Sequence, residues 1–267
     1  MLVSCSFPVR YAETDAQYVV YYANHVAWFE LGYEALFAAA GRPLGHDRPT
    51  VLEATCRYRA PIRYGETVTV QSQPAQEEAG HLWIAHTLLV GEEVRATGTT
   101  LLADVGDLFS AMMPTDLERF EGWKQIAPHG RCEIVPLRVR YAESEPTRGV
   151  HFARFFDWLE VGRIAFLHRI GLDYARMEVI GSPFLIAQAS CRYIAPVCFD
   201  EPLEIAVWAE KVRQRSFVLA YRIRHAEAKH TVALGRSAQT FIGQVRDQVR
   251  PVPIPEWARD LLLEAMG

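Results

Sequence analysis

Hydrophobic residues recur along this chain at two kinds of spacing, one typical of helices and one typical of strands. Between Asn24 and Ala40 they recur at helical spacing, and Gly41 stands where a left-handed C-terminal cap belongs. Around this segment, strand-like runs are separated by turn signals that contain glycine. The first half of the chain therefore predicts one strand, one long helix and four further strands: Ser4–Glu13, the helix Asn24–Ala40, Val51–Ala60, Glu66–Gln73, His81–Val90 and Val94–Val105.

The second half repeats this pattern. Residues 10–30 match residues 140–160 without a gap, an offset of 130 positions. Residues 56–61 match residues 191–196 at an offset of 135, so the second copy carries an insertion of five residues in between. The elements predicted for this copy are Ile134–Glu143, a helix whose stripe is Phe155, Leu159, Gly162, Phe166 and Ile170 with its cap at Gly171, and the strands Phe184–Ala195, Leu203–Val212, Ser216–His225 and Thr231–Val245.

A repeat of this length corresponds to one small domain. The sequence predicts a first domain over residues 1–106, a linker over 107–133 with a short helix at Pro114–Phe120, and a second domain over 134–267 with the counterpart helix Pro255–Leu262. Four successive strands with short links must be antiparallel, and the long helix can bury its apolar face only against that sheet. Gly32 and Gly162 interrupt the two helices, which indicates a close approach of the helix backbone to another element.

Composition and charge narrow the classes of function. The net charge of −4 argues against a nucleic-acid partner, because nucleic-acid-binding proteins usually show a basic surface. The N-terminal residues lack a signal peptide pattern and no stretch is long enough to span a membrane, so the cytoplasm is the expected compartment. The five cysteines show no zinc or disulfide spacing, and Cys56 and Cys191 are expected to be small buried residues. No cofactor or metal is expected.

One motif indicates a specific chemistry. The run Arg-Tyr-Ala-Glu-Thr-Asp-Ala that ends at Ala16, followed by Val-Val-Tyr-Tyr-Ala-Asn-His up to His25, resembles the acyl-CoA thioesterases of the 4-hydroxybenzoyl-CoA thioesterase group. The segment from Cys56 to Gly65 resembles that family's central strand and turn. The resemblance implies two tandem hot-dog domains of the α+β class, each with a five-stranded antiparallel sheet wrapped around the long helix. It also implies edge-to-edge pairing of the two sheets and a homodimer of double hot dogs.

The resemblance also implies the site. The family's catalytic carboxylate falls on Asp15, which would act as nucleophile or general base, and the polarising N–H falls on the backbone of Tyr22. A thioester carbonyl needs both an attacking group and a donor for the developing oxyanion, and a helix N-terminus provides such donors. The substrate would be an acyl-CoA or another acyl thioester. Candidate substrate-binding residues are Tyr18, His25, Arg57, Arg59 and Arg63, the arginines as partners of phosphate groups.

The chain departs from the family pattern at two positions. Tyr18 stands where the family commonly has Gly, so its ring would narrow the substrate groove or change the shape of the turn. In the second copy, Glu145 replaces the catalytic Asp and Arg148 occupies the Gly position. Because Glu is one methylene longer, and a misplacement of about 1 Å can cost about 10²-fold in rate, the second site is expected to be weakened.

Other interpretations of the same residues remain open. Asp15 alone also suits a turn or a helix cap, and His25 also suits a structural role. Arg10 with Glu13 suits a structural ion pair, Trp28 suits core packing, and the three arginines suit a solvated sheet face. At the level of function, the alternatives to hydrolysis are a non-hydrolytic acyl-thioester-binding protein and a hot-dog hydratase or dehydratase, which would pair a His with a carboxylate.

Overall fold

A computed structural model describes residues 1–45, 48–78, 80–103, 105, 123, 126–146, 149–173, 177, 183–245 and 248–267. The chain divides into two compact units, Met1–Glu121 and Gly122–Gly267. The predicted helix at Pro114–Phe120 lies outside the described residues. None of the helices in the described ranges has the length and hydrophobicity that a bilayer crossing requires.

The first unit has the predicted order of one strand, one helix and four strands. Its elements are β1 (Val3–Pro8), a 3-10 turn (Tyr11–Glu13), α1 (Tyr22–Ala39), β2 (Val51–Tyr58), β3 (Thr67–Glu78), β4 (His81–Val90) and β5 (Glu93–Leu102). Neighbouring strands pair antiparallel in the order β1-β3-β4-β5-β2. This is the hot-dog architecture that the sequence predicts.

The second unit repeats this order. Its elements are β6 (Cys132–Arg138), a 3-10 turn (Tyr141–Glu143), α2 (Arg154–Arg169), β7 (Phe184–Tyr193), β8 (Pro202–Val212), β9 (Ser216–His225), β10 (Thr231–Val245), β11 (Gln248–Pro251) and α3 (Glu256–Met266). The strand order is β7-β10-β9-β8-β6, and β11 pairs with β10. Helix α3 confirms the predicted C-terminal helix, whereas β11 is a strand that the sequence analysis missed.

The first predicted strand of each copy is too long at its C-terminal end. The predictions Ser4–Glu13 and Ile134–Glu143 are wrong beyond Pro8 and Arg138, because the chain then forms a short 3-10 helix, Tyr11–Glu13 or Tyr141–Glu143. The predictions Val51–Ala60, Val94–Val105 and Phe184–Ala195 also end too late, since the strands end at Tyr58, Leu102 and Tyr193. In the first unit the Glu13 carboxylate accepts hydrogen bonds from the backbone N–H and the guanidinium of Arg10, both at 2.8 Å. These contacts close the turn and end the extended conformation.

Each long helix packs on its sheet where a glycine leaves room. A side chain at Gly32 would place its Cβ 2.0 Å from the Ser72 hydroxyl oxygen, and one at Gly162 would meet Ile205 at 3.0 Å. The close approach predicted at both glycines is therefore confirmed. Gly41 and Gly171 have φ values of 80° and 81°, so the predicted left-handed caps are confirmed as well.

The polar contacts beneath the two helices differ. In the first unit, buried His86 lies between the hydroxyls of Ser72, 2.7 Å from Nδ1, and Thr100, 3.0 Å from Nε2. In the second unit, the hydroxyl of buried Tyr221 contacts Ser237 at 2.7 Å. Burial lowers the pKa of His86 to about 3, so this imidazole is neutral in the folded unit at ordinary pH.

Candidate functional site

The Asp15 turn is a closed hairpin that leads into α1. Thr14 pairs with Val20, and the Asp15 N–H donates to the Val19 carbonyl oxygen at 2.8 Å. The Asp15 carboxylate accepts the N–H of Gln17 at 2.8 Å, which is an Asx turn and orients the side chain. Asp15 is partly exposed. The hairpin therefore holds a solvent-accessible carboxylate seven residues before the first residue of the helix.

Tyr18 completes this hairpin in a left-handed conformation. Its N–H donates to the Asp15 carbonyl oxygen at 3.0 Å, and its φ is 60°. A tight turn followed by a left-handed residue is a common hairpin loop, and glycine is the residue that adopts this conformation most readily. The tyrosine side chain is 71% exposed. Thus the loop closes with Tyr18 in the left-handed position, at a conformational cost that a glycine would avoid.

Helix α1 begins at Tyr22, which is the residue proposed to polarise the substrate carbonyl. The hydroxyl of Tyr58, on β2, donates to the Tyr22 carbonyl oxygen at 3.1 Å. Tyr193 makes the same contact with Phe152 in the second unit, at 2.8 Å. The first turn of a helix presents N–H groups that the helix ladder itself does not use, together with the positive end of the helix dipole.

Glu13 lies just before the catalytic candidate and is buried, with 7% of its surface exposed. Besides the two contacts from Arg10, its carboxylate accepts the indole N–H of Trp28 at 3.2 Å. Burial by itself would raise the pKa of Glu13, but the hydrogen bonds from Arg10 and Trp28 hold it below its ordinary value. The ion pair expected from the sequence is present, and Trp28 is buried but also serves as a hydrogen-bond donor.

The second copy builds a similar turn around Glu145. The Glu145 N–H donates to the Gly149 carbonyl oxygen at 2.7 Å, and Ser144 pairs with Val150. Arg148, at the position of Tyr18, lies outside the described residues. Helix α2 runs over Arg154–Arg169, and its first turn matches that of α1: the Arg154 N–H donates to the His151 carbonyl oxygen at 2.9 Å, as the Asn24 N–H donates to that of Tyr21 at 3.0 Å. The backbone N–H of Ala153 donates to the His151 imidazole at 3.2 Å, a contact between side chain and helix start.

His25 is buried in the first turns of α1. Its ring lies 5.5 Å from that of Trp28 and 5.1 Å from that of Tyr58. Burial lowers its pKa to about 4, although the backbone carbonyls of Tyr21 and Tyr22 partly oppose this. Phe155 takes the same place in the second unit, between Trp158 and Tyr193.

The three candidate arginines are all exposed, but they lie in different places. Arg63 pairs through its backbone with Val19, which brings it beside the Asp15 hairpin. Arg57 and Arg59 alternate along the β2 direction with Tyr58, whose side chain reaches α1, so their side chains leave the opposite face of the sheet. Arg59 contacts the Thr97 hydroxyl at 3.5 Å. The structure thus brings Arg63, but not Arg57 and Arg59, to the side of the hairpin.

The sequence analysis missed two residues of this region. Tyr58 lies within the motif Cys56–Gly65, and its recurrence as Tyr193 in the second copy is a signal of a shared role. Asn24 was treated as the start of the helix, yet its side-chain amide donates to the Glu13 carbonyl oxygen at 2.9 Å.

In the described part of the chain, no group of three or more His, Cys, Asp or Glu residues is arranged to hold a metal ion. All five cysteines are free thiols, and Cys56 and Cys191 are buried as predicted.

Comparisons with known proteins agree with this architecture. Residues 139–262 match the family model described as "Thioesterase-like superfamily", and residues 17–79 match the one described as "Thioesterase superfamily". A Bacillus subtilis (strain 168) protein named "Putative acyl-CoA thioesterase YneP" is 39% identical over 125 residues, which are 45% of this chain and 88% of that protein. An Aquifex aeolicus (strain VF5) protein named "Putative esterase" is 27% identical over 88 residues, 33% of this chain and 69% of that protein.

A solved structure shares the fold over almost the whole chain. The crystal structure described as "oleoyl thioesterase (putative)" from Lactobacillus plantarum covers 95% of this chain and 98% of its own, with a TM-score of 0.72 and 14% identity. An identity this low shows the fold alone. The matched family models and the Bacillus subtilis relative show more, and on their evidence the chain belongs to the thioesterase superfamily.

Proposed function

We propose that this protein hydrolyses acyl-CoA thioesters to a free acid and coenzyme A, and that the Asp15 hairpin with the start of α1 is the active site. The observation that carries this proposal is the closed hairpin, which holds a partly exposed, oriented carboxylate seven residues before a helix N-terminus. Membership of the thioesterase superfamily supports the reaction class. The name of the Bacillus subtilis relative supports coenzyme A as the thiol carrier.

The chemistry follows from these two groups. The Asp15 carboxylate attacks the carbonyl carbon, the carbon–sulfur bond breaks, the thiolate leaves, and water then cleaves the resulting anhydride to regenerate the carboxylate. Alternatively, Asp15 takes a proton from the water molecule that attacks the thioester directly. In both routes, the carbonyl oxygen becomes an oxyanion, which the Tyr22 N–H stabilises. A single donor of this kind contributes about 10²–10³-fold to kcat. A thiolate is a stable leaving group, so a strong general acid is not required.

The remaining candidates would hold the substrate. Arg63, next to the hairpin, would meet the phosphates of coenzyme A, and Tyr18 would contact the substrate from the loop. Arg57 and Arg59 are the less favoured phosphate partners because their side chains leave the other face of β2. His25 would contribute as a neutral group, since its pKa is about 4.

The first prediction tests Asp15. Asp15→Asn keeps the shape of the side chain but removes its charge, so kcat towards the best acyl-CoA should fall by several orders of magnitude with a smaller change in KM. The measurement is thiol release by the purified protein against a panel of acyl-CoA thioesters. Asp260→Asn is the matched control, because Asp260 is exposed on α3, and it should keep the parental kcat. Full activity in Asp15→Asn would refute the assignment.

The same panel separates the competing functions. Tyr18 and Glu145, the departures from the family pattern, favour a protein that binds acyl thioesters without hydrolysing them. Binding of acyl-CoA without thiol release would establish the non-hydrolytic binding function. A hydratase or dehydratase would instead change an enoyl or hydroxyacyl thioester without releasing thiol.

We also propose that two chains associate as a homodimer. The support is the behaviour implied by the family resemblance, in which paired hot dogs assemble further. Analytical ultracentrifugation at micromolar concentration should give the mass of two chains, about twice 30.2 kDa. A mass of one chain would refute the dimer and leave the active-site proposal untouched.

A further inference from the structure

Glu13 connects three segments around the proposed active site. Its carboxylate holds Arg10 at the end of the β1 segment and Trp28 on the second turn of α1. Its carbonyl oxygen accepts two further bonds, both at 2.9 Å, from the Tyr21 N–H and from the side-chain amide of Asn24. We call Glu13 and these four partners the Glu13 clamp.

The clamp spans the two groups that the chemistry requires. Asp15 follows Glu13 by two residues, and Asn24 lies in the first turn of α1, two residues after Tyr22. The bond from Asn24 to Glu13 therefore fixes the start of the helix against the residue that leads into the carboxylate turn. Loss of that bond would release one of the contacts that hold the first turn of α1 against the Asp15 hairpin.

The second unit has the same clamp with one bond missing. Glu143 accepts the backbone N–H of Arg140 at 2.7 Å and the indole N–H of Trp158 at 3.0 Å, and its carbonyl oxygen accepts the His151 N–H at 3.1 Å. The residue at the position of Asn24 is Arg154, whose guanidinium contacts Asp157 at 3.3 Å instead. The backbone N–H of Ala153, at the start of this helix, donates to the His151 imidazole at 3.2 Å.

We propose that Asn24 is a positioning residue for hydrolysis at the Asp15 site. Its side-chain amide sets where the first turn of α1 lies relative to Asp15, and Arg154 does not do this in the second unit. This inference rests on the proposed function. It adds a second physical reason, besides the longer side chain of Glu145, for unequal sites.

The test compares substitutions of Asn24 with controls. Asn24→Ala removes the donor, while the Glu13 oxygen keeps its bond from Tyr21, so the fold should persist. We expect kcat to fall by about 10- to 100-fold with little change in KM, because a misplacement of about 1 Å between reacting groups has an effect of this size. Asn24→Gln keeps an amide donor and should recover part of the lost kcat, whereas Asn24→Arg, the residue of the second unit, should not.

Two controls separate positioning from loss of stability. Thr100→Val removes a buried hydrogen bond to His86 beneath the same helix and should lower the melting temperature without lowering kcat. Arg154→Ala changes the equivalent position of the second unit and should leave kcat at the Asp15 site unchanged. Thermal unfolding of every variant is measured beside the kinetics.

The outcomes distinguish this inference from the proposed function. If Asp15→Asn is inactive but Asn24→Ala keeps kcat within twofold of the parent, the positioning role is refuted and the proposed function stands. Equal losses of kcat in Asn24→Ala and Thr100→Val would also refute it, because general destabilisation would then account for both. If Asp15→Asn is fully active, the proposed active site is wrong and this inference fails with it.

Discussion

At the scale of single residues, Tyr18 is held in a conformation that most side chains avoid. A left-handed residue other than glycine costs about 1–2 kcal/mol, and the Tyr18 side chain is too exposed to recover this by packing. Tyr18→Gly should therefore raise the free energy of unfolding by about 0.5–1 kcal/mol after the greater chain entropy of glycine is subtracted. Chemical denaturation of both proteins measures the difference.

Lys229 offers the matched control for Tyr18. It has the same φ of 60°, and its ion pair with Glu204, at 3.3 Å, is a surface pair that contributes little, so Lys229→Gly should also stabilise the protein. If the Tyr18 ring contacts substrate, only Tyr18→Gly should raise KM. A loss of stability in Tyr18→Gly would show that the ring makes a favourable contact that outweighs the backbone conformation.

Individual residues also show which parts of the candidate site could be predicted from the sequence alone. A local motif predicts that Asp15 lies in a turn and Tyr22 near the start of the following helix. The structure has this order of turn and helix. The φ of Tyr18 was predictable only from the glycine that the family commonly has there, because tyrosine itself gives no local signal for a left-handed turn. The bond from Asn24 to Glu13 spans eleven positions, and its acceptor is a backbone oxygen that any residue has, so no residue pattern identifies it.

At the scale of elements, the Asp15 turn with α1 and the Glu145 turn with α2 have the same order but differ in the residue at the carboxylate position. Asp15→Asn should remove most of the activity, whereas Glu145→Gln should reduce it little, because the longer side chain places that carboxylate poorly. The measurement is kcat and KM of both single variants and the double variant on one acyl-CoA. Equal losses from the two single variants would show two working sites.

The order of elements was predictable because apolar periodicity and turn residues are local signals. The exact ends of these elements were less predictable. The predicted first strands run on to Glu13 and Glu143, since nothing in the adjacent sequence shows that a buried indole fifteen residues away will draw each carboxylate inward. Strand β11, which pairs with β10, is four residues long and so has little periodicity of its own.

At the scale of the whole molecule, the two units should respond differently to acid. The buried imidazoles His25 and His86 have pKa values of about 4 and about 3 in the folded first unit, against about 6.5 when unfolded. The second unit has Phe155 and Tyr221 at these positions, which do not titrate there. Below pH 6.5, the unfolded chain takes up protons that the folded first unit does not.

The stability of the first unit should therefore be fully present above pH 6.5 and fall as the pH decreases towards 4. The slope is about 1.4 kcal/mol per pH unit for each histidine. Hydrogen exchange between pH 7 and pH 5 should show loss of protection in β3–β5 before β8–β10. His25→Phe, which installs the residue of the second unit, should reduce this loss. Equal loss in both units, or an unchanged slope in His25→Phe, would contradict the prediction.

Because the turn is duplicated within one chain, its two copies can evolve separately. A hot-dog protein encoded as a single copy carries every substitution into all of its sites, so a change that harms one harms them all. Here the Asp15 turn and the Glu145 turn are encoded separately. If hydrolysis takes place at Asp15 as proposed, mutation can alter position 145, 148 or 154 while selection on hydrolysis preserves Asp15 and Asn24. The second turn is therefore free to drift or to acquire a different ligand preference within a chain that keeps its original chemistry.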